Sequence, residues 1–234
     1  MRHTAVEEWS RGSSPLHRRA PVAKLIPLGV FLVVLATAHR RLPLVAAGLL
    51  LLLCGGFLAA RLPLLGAISR AAAVLPFTGL FALASWLAGD PARAFELIAK
   101  SYLSALGVLL LVGTTPLPEL LRSLEILKVP TFLLSVVQFL YRYLFVVLEE
   151  AANMRSAAVA RGGMTFRAAA GVLAVLFVRS YSRAEGIHRA MTARGFDGRF
   201  HPLHTRTYSK NDGQFAALAI LLPLLIRGAV EVLG

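Results

Sequence analysis

The sequence predicts an all-α polytopic membrane protein with about five transmembrane helices and a cytoplasmic domain of one short and two long helices. Hydrophobic residues make up 57% of the chain and charged residues only 16%, against about 25% charged residues in a typical soluble domain. The apolar residues are collected in runs long enough to cross a bilayer, which takes about 20 residues. Most basic residues lie between these runs, as the preference of Lys and Arg for cytoplasmic loops requires.

Four apolar runs occupy the amino-terminal region, which we take as residues 1–113. We predict transmembrane helices over residues 23–38, 42–60, 71–89 and 94–113. The first is slightly short for a span, and Pro76 predicts a kink in the third. Asp90 is placed to cap the start of the fourth helix, in which Glu96 and Lys100 have the i,i+4 spacing of an ion pair.

The region 114–213 is predicted to hold the cytoplasmic helices, and residues 214–234 the last transmembrane helix. A short amphipathic helix covers residues 117–128. A long helix starts at Thr131, and a second starts after Thr165, whose hydroxyl can cap it. The larger apolar residues of the second long helix form one predicted stripe: Phe166, Leu173, Leu176, Phe177, Tyr181, Ile187 and Met191.

Both long helices are predicted to end in the same tripeptide. The two copies are Ala160-Arg161-Gly162 and Ala193-Arg194-Gly195. Alanine lets a partner surface approach closely, arginine offers a fork of donors to carboxylates and carbonyls, and glycine readily closes a helix. A straight helix joining the two arginines would span roughly 50 Å. We interpret the two tripeptides as contact points for a large partner.

The charge distribution predicts the orientation. The net charge is +13, but much of it flanks apolar runs, so we expect a membrane protein and no nucleic-acid partner. No cleavable signal peptide is apparent. Assigning residues 1–24, 61–70 and 114–213 to the cytoplasm places 20 of the 25 basic residues there. We therefore expect a cytoplasmic amino terminus and cytoplasmic long helices.

The residue types needed for catalysis or cofactor binding are not arranged in a recognisable pattern. A phosphate-binding loop needs Gly-Lys-Ser/Thr, and none of the four lysines, at positions 24, 100, 128 and 210, follows a glycine. Cys54 is the single cysteine, which excludes an internal disulfide. His201 and His204 have a spacing that could share a metal, but structural zinc takes four ligands, and a solvated loop is the favoured interpretation.

Several segments resemble the transmembrane T subunit of energy-coupling-factor transporters, most closely its CbiQ-like branch. The matching segments from Ser14 onward are 14–17, 23–24, 115–121, 141–143, 149–150, Met154, 160–162, 179–180 and 191–196. The doubled Ala-Arg-Gly is the most specific part, because the membrane spans match only as apolar runs.

The resemblance implies a non-catalytic scaffold subunit of an ABC-type importer. In that family two cytoplasmic ATPases bind the ends of the coupling helices, and a separate membrane S subunit captures the cargo. Carried over to this sequence, Arg161 and Arg194 would each dock one ATPase, helped by the flanking alanine and glycine. The chain itself would bind no cofactor, and its partners would use ATP. The CbiQ-like character favours cobalt as cargo, followed by nickel and then biotin.

Two other functions remain as alternatives. A conventional ABC importer permease carries a Glu-Ala-Ala motif followed three residues later by glycine; residues 150–152 begin this pattern, but Ser156 stands at the glycine position. A polytopic membrane enzyme would need polar groups facing inward from its spans, and the spans here contain few.

Overall fold

The fold is helical throughout the part of the chain that the computed structural model describes, residues 9, 10, 12–38, 42–163, 165–196 and 209–232. The helices of the first half are α1 (Val22–Thr37), α2 (Leu42–Ala60), α3 (Leu64–Ala71), α4 (Leu75–Leu87) and α5 (Pro91–Thr114). They are followed by α6 (Leu117–Ile126), α7 (Thr131–Ala160), α8 (Phe166–Ala193) and α9 (Lys210–Val232). The predicted all-α class is confirmed.

Five helical segments of the described chain are long and apolar enough to cross a membrane, so the protein is a multi-pass membrane protein. These segments are Leu42–Ala60, Leu64–Leu87, Pro91–Thr114, Thr131–Ala160 and Asn211–Val230. The number agrees with the prediction, but the membership differs. Helix α1 has 16 residues, fewer than the roughly 17–25 that usually span a bilayer, whereas α7 qualifies because 30 residues follow Pro130 without a break.

The chain divides into two compact units. The first contains the described residues up to Ser123 and again from Ser209, and the second contains those from Leu124 to Phe196. The domain boundaries placed from composition at residues 113/114 and 213/214 remain a prediction.

Helix α2 lies at the centre of the first unit. Its buried residues recur every three or four positions, which is typical of one helix face turned to a core: Leu42, Val45, Ala46, Leu49, Leu53, Phe57 and Ala60. Helix α5 packs against each of α1 to α4, and α9 packs against α1 and α2. The first unit is therefore a bundle with an interdigitated apolar core.

The junction between α3 and α4 differs slightly from the prediction. A 3₁₀ turn over Ala72–Val74 interrupts the apolar run, and Pro76 lies in the first turn of α4. Proline fits there because the first backbone N–H groups of a helix have no partner within the helix. The kink was predicted at Pro76, and the structure has a 3₁₀ turn shortly before this residue.

Two local predictions at the start of α5 are confirmed. The Asp90 carboxylate accepts a hydrogen bond from the backbone N–H of Arg93 at 3.0 Å, which caps the helix. Lys100 pairs with Glu96 at 2.6 Å and also donates to the backbone carbonyl of Ala36 at 2.8 Å. The hydrogen bond of Lys100 to Ala36 therefore ties α5 to the end of α1.

The second unit is built on the two long helices. The short connection over residues 161–165 reverses the chain, so α7 and α8 pack as an antiparallel hairpin. Their 30 and 28 residues correspond to about 45 and 42 Å of helix. Leu134 is buried on α7, but none of the residues of α8, all of which are described, is buried.

Candidate functional site

The candidate site consists of the two Ala-Arg-Gly helix ends of the second unit. We call Ala160-Arg161-Gly162 the first end and Ala193-Arg194-Gly195 the second end. Each helix ends at its alanine, and the following arginines have nearly the same backbone conformation, with φ −93° and ψ 14° at Arg161 and φ −92° and ψ 9° at Arg194. The sequence repeat is therefore also a repeat of local structure.

The glycines close both helices, as predicted. Gly162 has φ +113° and Gly195 has φ +74°, values that side-chain-bearing residues rarely adopt. At the second end, the N–H of Gly195 donates to Thr192 O and that of Phe196 to Met191 O, both at 3.0 Å. These two bonds form a Schellman motif.

The first end leads directly into the next helix. The N–H of Gly162 donates to Val159 O at 3.2 Å, and Gly163 also has a positive φ of 110°. Thr165 then caps α8, because its hydroxyl oxygen accepts the N–H of Ala168 at 3.2 Å. The predicted cap is confirmed, and the two glycines allow the abrupt reversal between the helices.

All six residues of the two ends are exposed. A Cβ atom added at Gly162 or Gly195 would meet nothing within 4 Å. Among the described residues, neither the Arg161 nor the Arg194 guanidinium forms a hydrogen bond or ion pair. Both ends thus present a guanidinium whose five donors are available to acceptors on another protein.

The hairpin places the two ends at opposite extremities. Glu150 on α7 contacts Arg179 on α8 at 2.9 Å, which aligns these positions along the pair. Arg161 lies 11 residues from Glu150 towards the turn, and Arg194 lies 15 residues from Arg179 in the opposite direction. At 1.5 Å per residue the two arginines are roughly 35–40 Å apart along the hairpin.

An apolar groove of about 640 Å³ lies between α7 and α8 on the side of the second end. Phe139 and Tyr143 line it from α7, whereas Ile187, Met191 and Phe196 line it from α8 and the residues that follow. The two helices therefore pack less closely here than a filled core would require.

The apolar stripe predicted on α8 is only partly covered within the second unit. Leu176, Ile187 and Met191 are half-buried, and the last two line the groove. The other four residues are exposed, at 65–92% of their full surface: Phe166, Leu173, Phe177 and Tyr181. Leu173 and Met191 lie on the same face, five turns apart, so the difference in exposure depends on the position along α8. Helical periodicity reports the face of a helix and not which of its turns are covered.

The contact of Glu150 with α8 was not predicted from the sequence. One carboxylate oxygen faces Arg179 at 2.9 Å and the other faces Arg183 at 3.7 Å. The sequence signal is limited to the placement of Arg179 and Arg183 one turn apart on one face of α8, which does not identify Glu150 as their partner. Glu185 and Arg189, four residues apart on α8, form a further ion pair at 3.9 Å.

A second unpredicted contact lies in the first unit, within segments that carried the resemblance. Lys24 is buried, and its ammonium donates to Thr114 O and to Thr115 Oγ1, both at 2.9 Å. Nearby in sequence, the Ser14 hydroxyl contacts His17 Nδ1 at 2.7 Å. The two contacts of Lys24 tie the start of α1 to the end of α5.

The remaining metal and thiol candidates add no site within the described residues. His201 and His204 lie outside those residues. In the described part of the chain no group of three His, Cys, Asp or Glu side chains could hold a metal ion. Cys54 is a half-buried free cysteine.

The fold and the candidate site define a class: a multi-pass helical membrane protein whose two long helices end in exposed Ala-Arg-Gly tripeptides. A family model described as cobalt transport protein CbiQ matches residues 12–204. The chain belongs to this CbiQ family, and the resemblance to the T subunit of energy-coupling-factor transporters is confirmed.

Individual relatives are consistent with this assignment. Cobalt transport protein CbiQ of Rhodobacter capsulatus is 31% identical over 206 residues, covering 81% of this chain and 84% of that protein. Energy-coupling factor transporter transmembrane protein EcfT of Bacillus selenitireducens is 27% identical over 232 residues, covering 82% and 84%. A putative fused cobalt transport protein CbiMQ of Methanocorpusculum labreanum is 31% identical over 90 residues, covering 36% and 15%.

Proposed function

We propose that this chain couples ATP hydrolysis by two cytoplasmic ATPases to the uptake of cobalt ions through a membrane S subunit. Arg161 and Arg194 each dock one ATPase, with the flanking alanine and glycine allowing close approach. The chain itself binds no cofactor and performs no catalysis. Its ATPase partners bind and hydrolyse ATP. The printed names of the relatives, one a cobalt transport protein and one an energy-coupling factor transporter protein, support this function.

The observation that carries the proposal is the structural equivalence of the two ends. Two surfaces with the same tripeptide, the same arginine backbone conformation and the same exposure can be recognised in the same way. Such a repeat suits two copies of one partner. Their separation of roughly 35–40 Å allows each copy of the partner to bind a different extremity of the hairpin.

The chemistry of the ends suits a protein partner with acidic or carbonyl acceptors. An exposed guanidinium offers planar, paired donors that match a carboxylate. Removing one partner of a buried, hydrogen-bonded charge pair costs about 2–5 kcal/mol, which corresponds to roughly 30-fold to several-thousand-fold in affinity. A docking contact of this kind is strong enough to transmit force when the ATPases move.

The orientation that we propose follows from charge. The amino terminus, α7, α8 and the two ends lie on the cytoplasmic side of a bacterial inner membrane, and the other long apolar segments cross it. The preference of Lys and Arg for cytoplasmic loops supports this arrangement.

The test is copurification of the ATPases with the double variant Arg161→Glu and Arg194→Glu. We expect loss of both ATPases from the purified complex, with unchanged membrane insertion. A matched control is Arg155→Glu with Arg189→Glu, since both arginines are exposed, lie on the same two helices and change the charge equally. Recovery of the ATPases at the wild-type level from the first variant would refute the docking assignment.

Single reversals test the assignment of one ATPase to each end. Arg161→Glu and Arg194→Glu should each weaken one docking contact and leave the other intact. Uptake of labelled cobalt, nickel and biotin by cells with and without the complete complex then tests the cargo. Cobalt uptake that depends on the complex is the expected result, and dependence of nickel or biotin uptake alone would contradict it.

A further inference from the structure

We infer that Glu150 is a positioning residue that fixes the distance between the two helix ends through its contacts with Arg179 and Arg183. The consequence for transport rests on the proposed function. The geometric part concerns this chain alone.

Glu150 contacts the neighbouring helix through both of its carboxylate oxygens. Oε1 accepts a hydrogen bond from Arg179 Nη1 at 2.9 Å, and Oε2 lies 3.7 Å from Arg183 Nη2. The two arginines are one helical turn apart, so they hold the carboxylate from two directions along α8. A two-point attachment of this kind resists sliding and rotation of one helix on the other.

The environment of Glu150 separates it from an ordinary surface charge. Its side chain is 19% exposed, whereas the adjacent Glu149 is exposed. Isolated exposed ion pairs contribute little. Here one partly buried carboxylate is shared by two arginines, whose side chains are 62% and 45% exposed.

Apolar packing between α7 and α8 is too thin to fix their angle alone. Helix α8 has no buried residue over its whole described length, and α7 has only Leu134. Beyond Glu150, towards the second end, the interface opens into the groove lined by Phe139, Tyr143 and Ile187. The ion pairs therefore carry a large share of the orientation.

The position of Glu150 turns small angular changes into large displacements. Arg194 is 15 residues beyond Arg179, about 22 Å along the helix. Packed helix pairs scatter by about 15–20° around a preferred crossing angle. If the angle were free over that range, the second end would move by about 6–8 Å relative to the first, enough to misplace a docked partner.

The test measures the distance between the two ends in the purified full-length chain. Spin labels are attached at Val159→Cys and Ala190→Cys, both exposed sites, in a Cys54→Ala background. We expect one narrow distance distribution centred at about 30 Å. Glu150→Gln should broaden it or shift its centre by about 5 Å or more, whereas the matched control Glu149→Gln should leave it unchanged. An unchanged distribution in Glu150→Gln would overturn the inference.

A charge exchange distinguishes positioning from a general effect on folding. Glu150→Arg combined with Arg179→Glu and Arg183→Glu rebuilds the contact with reversed signs. Recovery of the narrow distribution supports the inference, and a distribution that stays broad overturns it. If Glu150→Gln alone does not fold, the exchange variant decides the question.

The outcome is independent of ATPase docking. The distance is measured without ATPases. A changed distance in Glu150→Gln would therefore support the positioning role even if the Arg161→Glu and Arg194→Glu variant kept its ATPases and so refuted the docking assignment. Conversely, loss of ATPases from that double variant together with an unchanged distance in Glu150→Gln would support the proposed function and reject the positioning role.

Discussion

Alanine at Gly162 is expected to damage the first helix end more than alanine at Gly195 damages the second. Both glycines are exposed, and a new Cβ would meet nothing within 4 Å at either position. Steric crowding by neighbours is therefore absent at both sites. The difference must come from the backbone conformation that each position requires.

The backbone angles set the size of the effect. Gly195 has φ +74°, close to the left-handed helical region, which costs an L-residue about 1–2 kcal/mol and which asparagine tolerates. Gly162 has φ +113°, which lies outside that region. An alanine or asparagine at this position would either keep the strained conformation, at a cost of about 1–3 kcal/mol, or force the backbone to move. We therefore expect Gly195→Asn to behave like the wild type and Gly162→Asn to resemble Gly162→Ala.

Copurification with the ATPases is the assay. If docking requires the native backbone at Arg161, a cost of about 1–3 kcal/mol lowers the affinity of that end by about fivefold to 150-fold, although no charge has changed. Gly186→Ala is the matched control, because Gly186 is exposed, has open space around it and lies within α8. Equal ATPase recovery from Gly162→Ala and Gly186→Ala would refute the importance of the first end's geometry.

Two further predictions concern stability and are checked by thermal unfolding of the purified protein in detergent. Lys128 has φ +63°, so Lys128→Gly should remove strain and raise the unfolding midpoint by about 2–4 °C; a lower midpoint would contradict this. At Gly48 an added Cβ would lie 2.7 Å from Cγ2 of Ile226, so Gly48→Ala should destabilise by about 1–3 kcal/mol. Gly55→Ala, on the same helix with open space around it, should be neutral or slightly stabilising, and equal effects of the two alanines would argue against the clash.

Features encoded by neighbouring residues were predictable from the sequence. Asp90 and Thr165 cap helices, and Gly162 and Gly195 close them, because each acts on backbone groups within a few positions. Residue type and offset are then sufficient information. The apolar runs were predictable for the same reason, since their length is a local property.

Features that depend on three-dimensional approach were not predictable in the same way. The contacts of Glu150 and the burial of Lys24 join positions 29 and 90 residues apart, and nothing in the local pattern distinguishes these charges from exposed ones. Arg61 and Lys128 were missed for another reason. Both have a positive φ. A glycine at either position would have indicated this backbone conformation, but arginine and lysine do not.

The two units hold their helices by different means. The first unit buries large side chains such as Leu49 and Phe57 between several helices, and close packing of this kind resists deformation. The second unit is held by ion pairs and a partly open groove, so the angle within the hairpin is fixed at Glu150. Because Glu150 contacts two arginines of the neighbouring helix and the apolar packing beside it is thin, a change at this one carboxylate is expected to alter the distance between Arg161 and Arg194.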